Sequence, residues 1–252
     1  LSVVGPKIPW PGVRFFCTTR SGGYSAAPYD QLNLGFGSGD LPESVRRNRQ
    51  TLRLRLPADP CWLKQVHGTD VFDVDRVDAK QIWVEPQADA STTSQAGRVL
   101  AILTADCLPV IMANAQGSVL GAAHAGWRGL ANGVLEQTFA KLRAQKPGSQ
   151  GWRAWIGPGI GPMAFQVGSE VREIFTNLEA ALEEYFFPDP MAAGKWLADL
   201  SGLAQARLRR LGVEHIESAA ACTVTDPERR FFSYRREGQT GRMATLAWLQ
   251  HD

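Results

Sequence analysis

The stretch Ala101–Gly129, AILTADCLPVIMANAQGSVLGAAHAGWRG, decides how this chain is read. Two short apolar runs, Val99–Leu103 and Val119–Ala123, each lead into a reactive side chain. Short apolar runs bounded by Gly and Asn read as buried strands. The first leads to Asp106 and Cys107, the second to His124 and the turn Gly126-Trp127-Arg128-Gly129. Buried strands hold the side chains at their ends rigidly, which suits chemistry. Packing and chemistry are both open explanations for Cys107 and His124.

Downstream of this stretch, Leu130, Val134, Leu135, Phe139 and Leu142 fall at helical spacing, predicting an amphipathic helix over Leu130–Leu142 lying on a sheet. Its N-terminal amides follow His124 closely and suit an anion. Arg153–Ile156 reads as a strand running into GPGIGP at 157–162, either an anion-binding nest or a rigid corner. Glu170–Phe186 reads as helix, and Asp199 caps another that Gly212 ends. His215–Ala219 and Phe231–Tyr234 read as strands around Cys222-Thr223, and RMATLAWL at 242–249 as a buried strand.

Upstream, Val13–Cys17 is a first strand, followed by a long stretch dense in Gly, Ser, Asn and Asp to Asp40. Loops of that length are usually functional or disordered, and its tyrosines and leucines favour a packed one. Arg20 and Asn33 within it either bind a ligand or tether the loop. Pro42–Leu56 is helical, and its five arginines (46, 47, 49, 53 and 55) read as a solvated face, since no aromatic residues interleave them as a nucleic-acid groove requires. Cys61–Val66 and Val71–Val74 read as two strands around a bend at His67-Gly68, and Asp89–Thr93, Val99–Leu103 and Pro109–Ala113 follow as strands.

These elements, strands and helices intermixed, predict an α+β (mixed α/β) fold of mixed β-sheets with helices outside. No linker, repeat or low-complexity tract divides residues 1–252, so one domain is expected. A net charge of +2 argues against nucleic acid and acidic membranes as partners. No apolar run approaches the ~20 residues of a membrane span. Leu1–Val13 has too short an apolar core and too many prolines for a signal peptide. The four cysteines lie far apart and read as free thiols. A cytoplasmic, monomeric enzyme acting on a small molecule is the expectation. The absence of both G-x-G-x-x-G after a strand and a P-loop removes the nucleotide-cofactor classes.

Of four histidines, His251 sits at the chain end and His215 has no evident partner. His67 and His124 remain, each at a strand end, and with Cys107 they make a possible metal set. Two imidazoles and a thiolate suit zinc, with a fourth position for water or substrate. The separations are not a spacing motif, so a structural role for each residue stays open.

The segments TTRSGGYSAAPYDQLNLG, WLKQVHG, TADCLPV, GAAHAGWRG, IGPGIGP with FQVG, and FFSYRR with TGRMA resemble the YfiH-like family. It is also called the laccase-domain or polyphenol oxidoreductase family, with bacterial members called peptidoglycan editing factor. The resemblance implies a single domain of mixed β-sheets sandwiched and covered by helices, and a zinc site at His67, Cys107 and His124, which are also the catalytic candidates. It implies phosphorolysis of adenosine, inosine, guanosine and S-methyl-5′-thioadenosine, with adenosine deamination. Arg20, Asn33, Gln65, Arg128 and Arg236 lie in the matching blocks as candidates for binding nucleoside and phosphate.

Chemistry tests the competing labels. Multicopper oxidases need more imidazoles than four histidines supply. A lone copper (Cu2+) on the same ligands with Met112 as axial ligand would only transfer electrons. The zinc-deaminase signature of H-x-E with P-C-x-x-C is absent. Asp106 is either a base or the residue that orients His124. The alternatives are a cysteine- or zinc-dependent hydrolase editing peptidoglycan precursors, with Cys107 as nucleophile and His124 as base, and a protein that stores metal without turnover.

Overall fold

Side-chain parity along the two central strands sets the layers of the molecule. The structure, a computed structural model, describes residues 1–77 and 84–250; His251 lies outside the described residues. In the strand Val99–Thr104, Leu100 and Ile102 pack between two sheets with Phe15, Trp155 and Met243. Val99 and Ala101 face the other way, onto Leu32, Leu34 and Leu52. In Leu108–Ala113, Ile111 and Ala113 join the layer between the sheets, while Val110 and Met112 turn toward helical residues such as Val134, Leu135 and Phe139. Successive strand residues point to opposite faces, so both sheets are buried on both sides.

The result is four layers. The helix Pro42–Arg53 and the loop before it cover a five-stranded sheet ordered Val3–Val4, Val13–Thr18, Met243–Leu249, Val99–Thr104 and Pro60–Cys61. A six-stranded sheet packs beneath, ordered His215–Ser218, Arg153–Ile156, Leu108–Ala113, Leu120–Ala125, Ala90–Thr93 and Val71–Asp73. The helices Val134–Gln145, Ser169–Leu178 and Leu200–Arg210 contribute the apolar residues of the outer layer. Both large sheets mix parallel and antiparallel pairs, and the mixed, helix-covered fold expected from the sequence is the one observed. A small antiparallel sheet of Gln166–Val167, Trp196–Ala198 and Phe186–Pro188 adjoins them in sequence. No described helix is long and apolar enough to cross a membrane.

Several local expectations are corrected. Pro60–Cys61 and Val71–Asp73 belong to different sheets, so His67 lies where the chain crosses between them rather than in a hairpin. The helix expected over Leu130–Leu142 starts earlier and breaks in two, Trp127–Asn132 and Val134–Gln145, because Gly133 adopts a φ of 96°. The helix after Gly168 ends at Leu178, and Ala180–Tyr185 is 3-10. Phe231 and Phe232 are both fully buried, which alternation forbids for a half-exposed strand; Ser233 then caps the short helix Tyr234–Glu237. Arg49 is not part of a solvated face, being stacked on Phe36 and Trp62 and paired with Glu85 at 2.9 Å.

The segment at 157–162 is a corner. The amides of Gly157, Gly159 and Ile160 donate to the carbonyls of Pro109, Ala221 and Asp106, so they are not available to an anion.

Candidate active site

Thr104 ends a strand of one sheet and Leu108 begins a strand of the other, so Ala105-Asp106-Cys107 carries the chain across the gap in three residues. Asp106 turns it with a φ of 92°, outside the ordinary range for a residue with a side chain. Its carboxylate accepts from Thr223 Oγ1 at 2.5 Å and from the Arg235 amide at 2.6 Å, and its carbonyl accepts from the Ile160 amide at 2.8 Å. Those bonds hold the turn, and through it Cys107. Asp106 therefore anchors backbone. It makes no hydrogen bond to His124, contrary to the orienting role weighed for it.

Asp89 orients His124 instead. It is fully buried just ahead of the strand Ala90–Thr93. One carboxylate oxygen lies 2.9 Å from His124 Nδ1 and accepts the His67 amide at 2.9 Å. The other accepts the amides of Val66 at 3.0 Å and Gly68 at 2.7 Å. Burial pushes this carboxyl up, but the His124 hydrogen bond and the amides outweigh it and hold it below the usual carboxylate range. The same amides fix His67 at a φ of 60°, a conformation that persists only where surroundings over-determine it.

The three candidate ligands come together at this seam. The donor atoms of His67, Cys107 and His124 lie within 4.8 Å of one another, and His67 Nε2 stands 3.8 Å from Cys107 Sγ. Such donors around a tetrahedral zinc stand roughly 3.3–3.7 Å apart, so a small closure suffices. Gly126 leaves the space they need: a Cβ there would come within 2.8 Å of Cys107 Sγ and 2.9 Å of His67 Cδ2. With Nδ1 on Asp89, His124 presents Nε2 to a metal, the arrangement that fixes tautomer and direction in metal sites. Burial raises the Cys107 thiol, but the His124 charge and hydrogen bonds from both imidazoles bring it down to about 6. Burial likewise lowers His124, yet the Cys107 charge and Asp89 raise it to about 9. Without metal the two form a thiolate–imidazolium pair, and the chemistry of this donor set fits zinc. Met112, imagined as an axial copper ligand, is fully buried in the helix-facing core.

The site opens into a cavity of about 580 Å³, within the range of small-molecule sites. Phe36, Trp127, Phe165 and Tyr234 give it aromatic walls, and Lys64, Arg128, Arg235 and Arg242 bring positive charge. Of the five residues expected to bind substrate, Gln65 and Arg128 line it. Gln65 also exchanges hydrogen bonds with the backbone of Leu103, both at 2.8 Å, extending the strand that leads to Cys107.

Arg20, Asn33 and Arg236 are not in its lining. Arg20 bonds Asp30 and Glu237. Asn33 is fully buried, donating to Ser38 and Asp40 and accepting from the amides of Gly35 and Arg242. Arg236 donates to the carbonyls of Thr223, Val224 and Phe231 and to Glu237. All three tether loops, which is where their hydrogen-bonding capacity goes.

Asp89, Arg235 and Arg242 were missed. Asp89 stands one residue before a buried strand, where an ionised side chain needs partners, and that signal was available. Arg235 and Arg242 sit inside the FFSYRR and TGRMA blocks, but choosing Arg235 over its neighbour Arg236 requires the helix start at Tyr234.

Residues 14–250 match the family model described as "Multi-copper polyphenol oxidoreductase laccase". The chain is 46% identical over 250 residues to the "Purine nucleoside phosphorylase YfiH" of Escherichia coli (strain K12), covering 98% of each. It is 47% identical to a "Purine nucleoside phosphorylase" of Xylella fastidiosa over 250 residues, 96% of this chain and 94% of the relative. A crystal structure of a Neisseria meningitidis protein superposes with a TM-score of 0.88 at 39% identity over 99% of each chain. That of YlmD from Geobacillus stearothermophilus gives 0.82 at 30% identity, over 95% of this chain and 93% of that one. The chain belongs to the YfiH-like, laccase-domain family.

Proposed function

We propose that this protein is a zinc-dependent purine nucleoside phosphorylase. It would act on adenosine, inosine, guanosine and S-methyl-5′-thioadenosine, and deaminate adenosine at the same site. The observation that carries the reading is the meeting of two imidazoles and a thiolate on the wall of a cavity with aromatic and cationic sides. The names of its relatives support the same reaction class.

His67, Cys107 and His124 would hold the ion, His124 through Nε2. Bound there, zinc supplies Lewis acidity and a water with a pKa near 7. The chain's residues do the rest. Aromatic faces at Phe36, Trp127, Phe165 and Tyr234 suit a purine ring, and the cations suit phosphate. Phosphorolysis replaces the bond from C1′ to the base with one from C1′ to a phosphate oxygen, so both substrates must share one enclosed space. Asp89 keeps His124 in one tautomer throughout.

The test is turnover of adenosine and inosine, with and without phosphate, on protein whose metal content is measured. One zinc per chain and phosphate-dependent release of free base are expected, both lost in His124→Ala. Full activity in that variant sinks the assignment.

One observation favours a second reading. A cysteine Sγ set among two imidazoles, which lower its pKa, is also the arrangement of a cysteine hydrolase, as would suit editing of peptidoglycan precursors. Amino-acid release that survives chelators but not iodoacetamide would select it.

A further inference from the structure

We propose that Arg242 forms the oxyanion subsite of this cavity, the place that takes the phosphate co-substrate; this rests on the phosphorolysis reading. Four cations line the cavity, and none is ion-paired with a carboxylate among the described residues. The carboxylates on its wall are occupied, Glu85 by Arg49 and Asp106 by Thr223 and the Arg235 amide. The cavity thus carries an excess of positive charge.

Arg242 differs from the other three. Lys64, Arg128 and Arg235 are exposed, whereas Arg242 is half-buried. Exposed cations steer an anion but are screened by water and salt. Arg242 is also fixed along its length. Its amide donates to Asn33 Oδ1 at 2.9 Å, and its carbonyl accepts from the Leu34 amide at 3.1 Å. Its stem crosses Gly35, where a Cβ would come within 2.7 Å of its Cγ. At the head, Nη1 donates to the carbonyls of Thr240 and Gly241 at 2.8 and 2.9 Å.

Nε and Nη2 have no protein partner among the described residues. That edge of a guanidinium is a planar fork of two parallel N–H groups, matched to two oxygens of one phosphate. A half-buried guanidinium whose Nε–Nη2 edge has no protein partner is stabilised by an anion that meets it. Arg242 lines the same cavity as His67, Cys107 and His124, so an oxyanion held here shares that space with the candidate metal ligands. Arg128 stacks on Trp127 and Arg235 bonds the Ala164 carbonyl; neither is pre-positioned in this way.

The test compares zinc-loaded wild type, Arg242→Met and Arg242→Lys at matched metal content. Inosine turnover is followed while phosphate is varied, and Tm is followed as inorganic phosphate replaces chloride at constant ionic strength without nucleoside. Arg242→Met is expected to raise the phosphate KM at least about tenfold, as loss of a charged hydrogen-bonding pair would, while the inosine KM changes less than about twofold. Arg242→Lys should fall between, keeping the charge and losing the fork. It also carries the test should the methionine variant not fold. An unchanged phosphate KM in both variants overturns the proposal. A wild type that performs no phosphorolysis, yet shows a phosphate-dependent Tm shift that is lost in the variants, sinks the phosphorolysis reading and supports the subsite. Active wild type whose phosphate-dependent shift survives in both variants places the anion elsewhere and overturns it.

Discussion

Oδ1 of Asp89 lies 2.9 Å from Nδ1 of His124 and accepts the His67 amide at the same distance. One buried carboxylate therefore governs both histidines of the site, one through its ring and one through its backbone. Its four donors leave it no second use.

Asp89→Asn is expected to weaken zinc binding by about 10–100-fold, the usual effect of removing a hydrogen-bond partner of a ligating histidine. Each oxygen serves two of the four donors, so the amide must turn its NH2 group toward two of them, and the ligands shift. Competition with a chromogenic chelator measures this, and unchanged affinity would return Asp89 to a purely structural role.

Gly126→Ala probes the ligand cradle directly. The new Cβ would meet Cys107 Sγ and His67 Cδ2 below 3.0 Å, and the backbone behind it is held because its carbonyl accepts the Leu130 amide at 2.8 Å. The expected outcome is loss of stoichiometric zinc in a protein that still folds, read by metal analysis beside circular dichroism.

Acidity at the site sets a pH dependence for metal binding. Cys107, lowered to about 6, is already a thiolate at neutral pH, whereas His124, raised to about 9, still carries its proton. A metal takes neutral imidazole and thiolate. From this pair, between about pH 6 and 9, zinc must therefore displace one proton, which makes affinity rise about tenfold per pH unit. Below pH 6 the slope steepens, because Cys107 must also lose a proton; above pH 9 it flattens. Calorimetry in buffers of different ionisation enthalpy counts the protons. In metal-free protein, alkylation of Cys107 should show its inflection near pH 6 rather than near the ordinary thiol value of about 8.5.

Asn33→Ala tests a tether. Five hydrogen bonds converge on its fully buried side-chain amide, and truncation leaves several groups unpaired. A loss of roughly 2–4 kcal/mol follows, seen as a lower urea midpoint, with zinc content unchanged. Loss of zinc without loss of stability would show that the side chain serves the site directly.

Strands buried on both faces were legible because an apolar run is local information: Val99–Leu103 is apolar throughout, and so is most of the strand Met243–Leu249. Mixed sheets with helices outside followed from strands and helices intermixed, as did the cap at Asp199, while the sandwich came from the family resemblance. Partnership between sheets was not legible, because it depends on contacts between residues far apart in sequence; hence the hairpin wrongly drawn around His67. The same limit divides the site. His67, Cys107 and His124 were found by chemistry and resemblance, and the structure brings them together. Arg20, Asn33 and Arg236 looked equally polar, but only the fold reveals which polar groups are already satisfied.

The crossing at Ala105-Asp106-Cys107 has a consequence for chain length. Extra residues in an ordinary surface turn bulge outward at modest cost, and the exposed hairpin turn at Asp189–Lys195, where a Cβ at Gly194 would meet nothing within 4 Å, offers such a place. At the crossing, both flanking strands are pinned by neighbours on either side, so one added residue has nowhere to go except into the position of Cys107. Slippage of a strand to absorb it would turn every core residue of that strand to the wrong face. Libraries of single-residue insertions should tolerate the hairpin and reject the crossing, making this the least elastic joint in the chain.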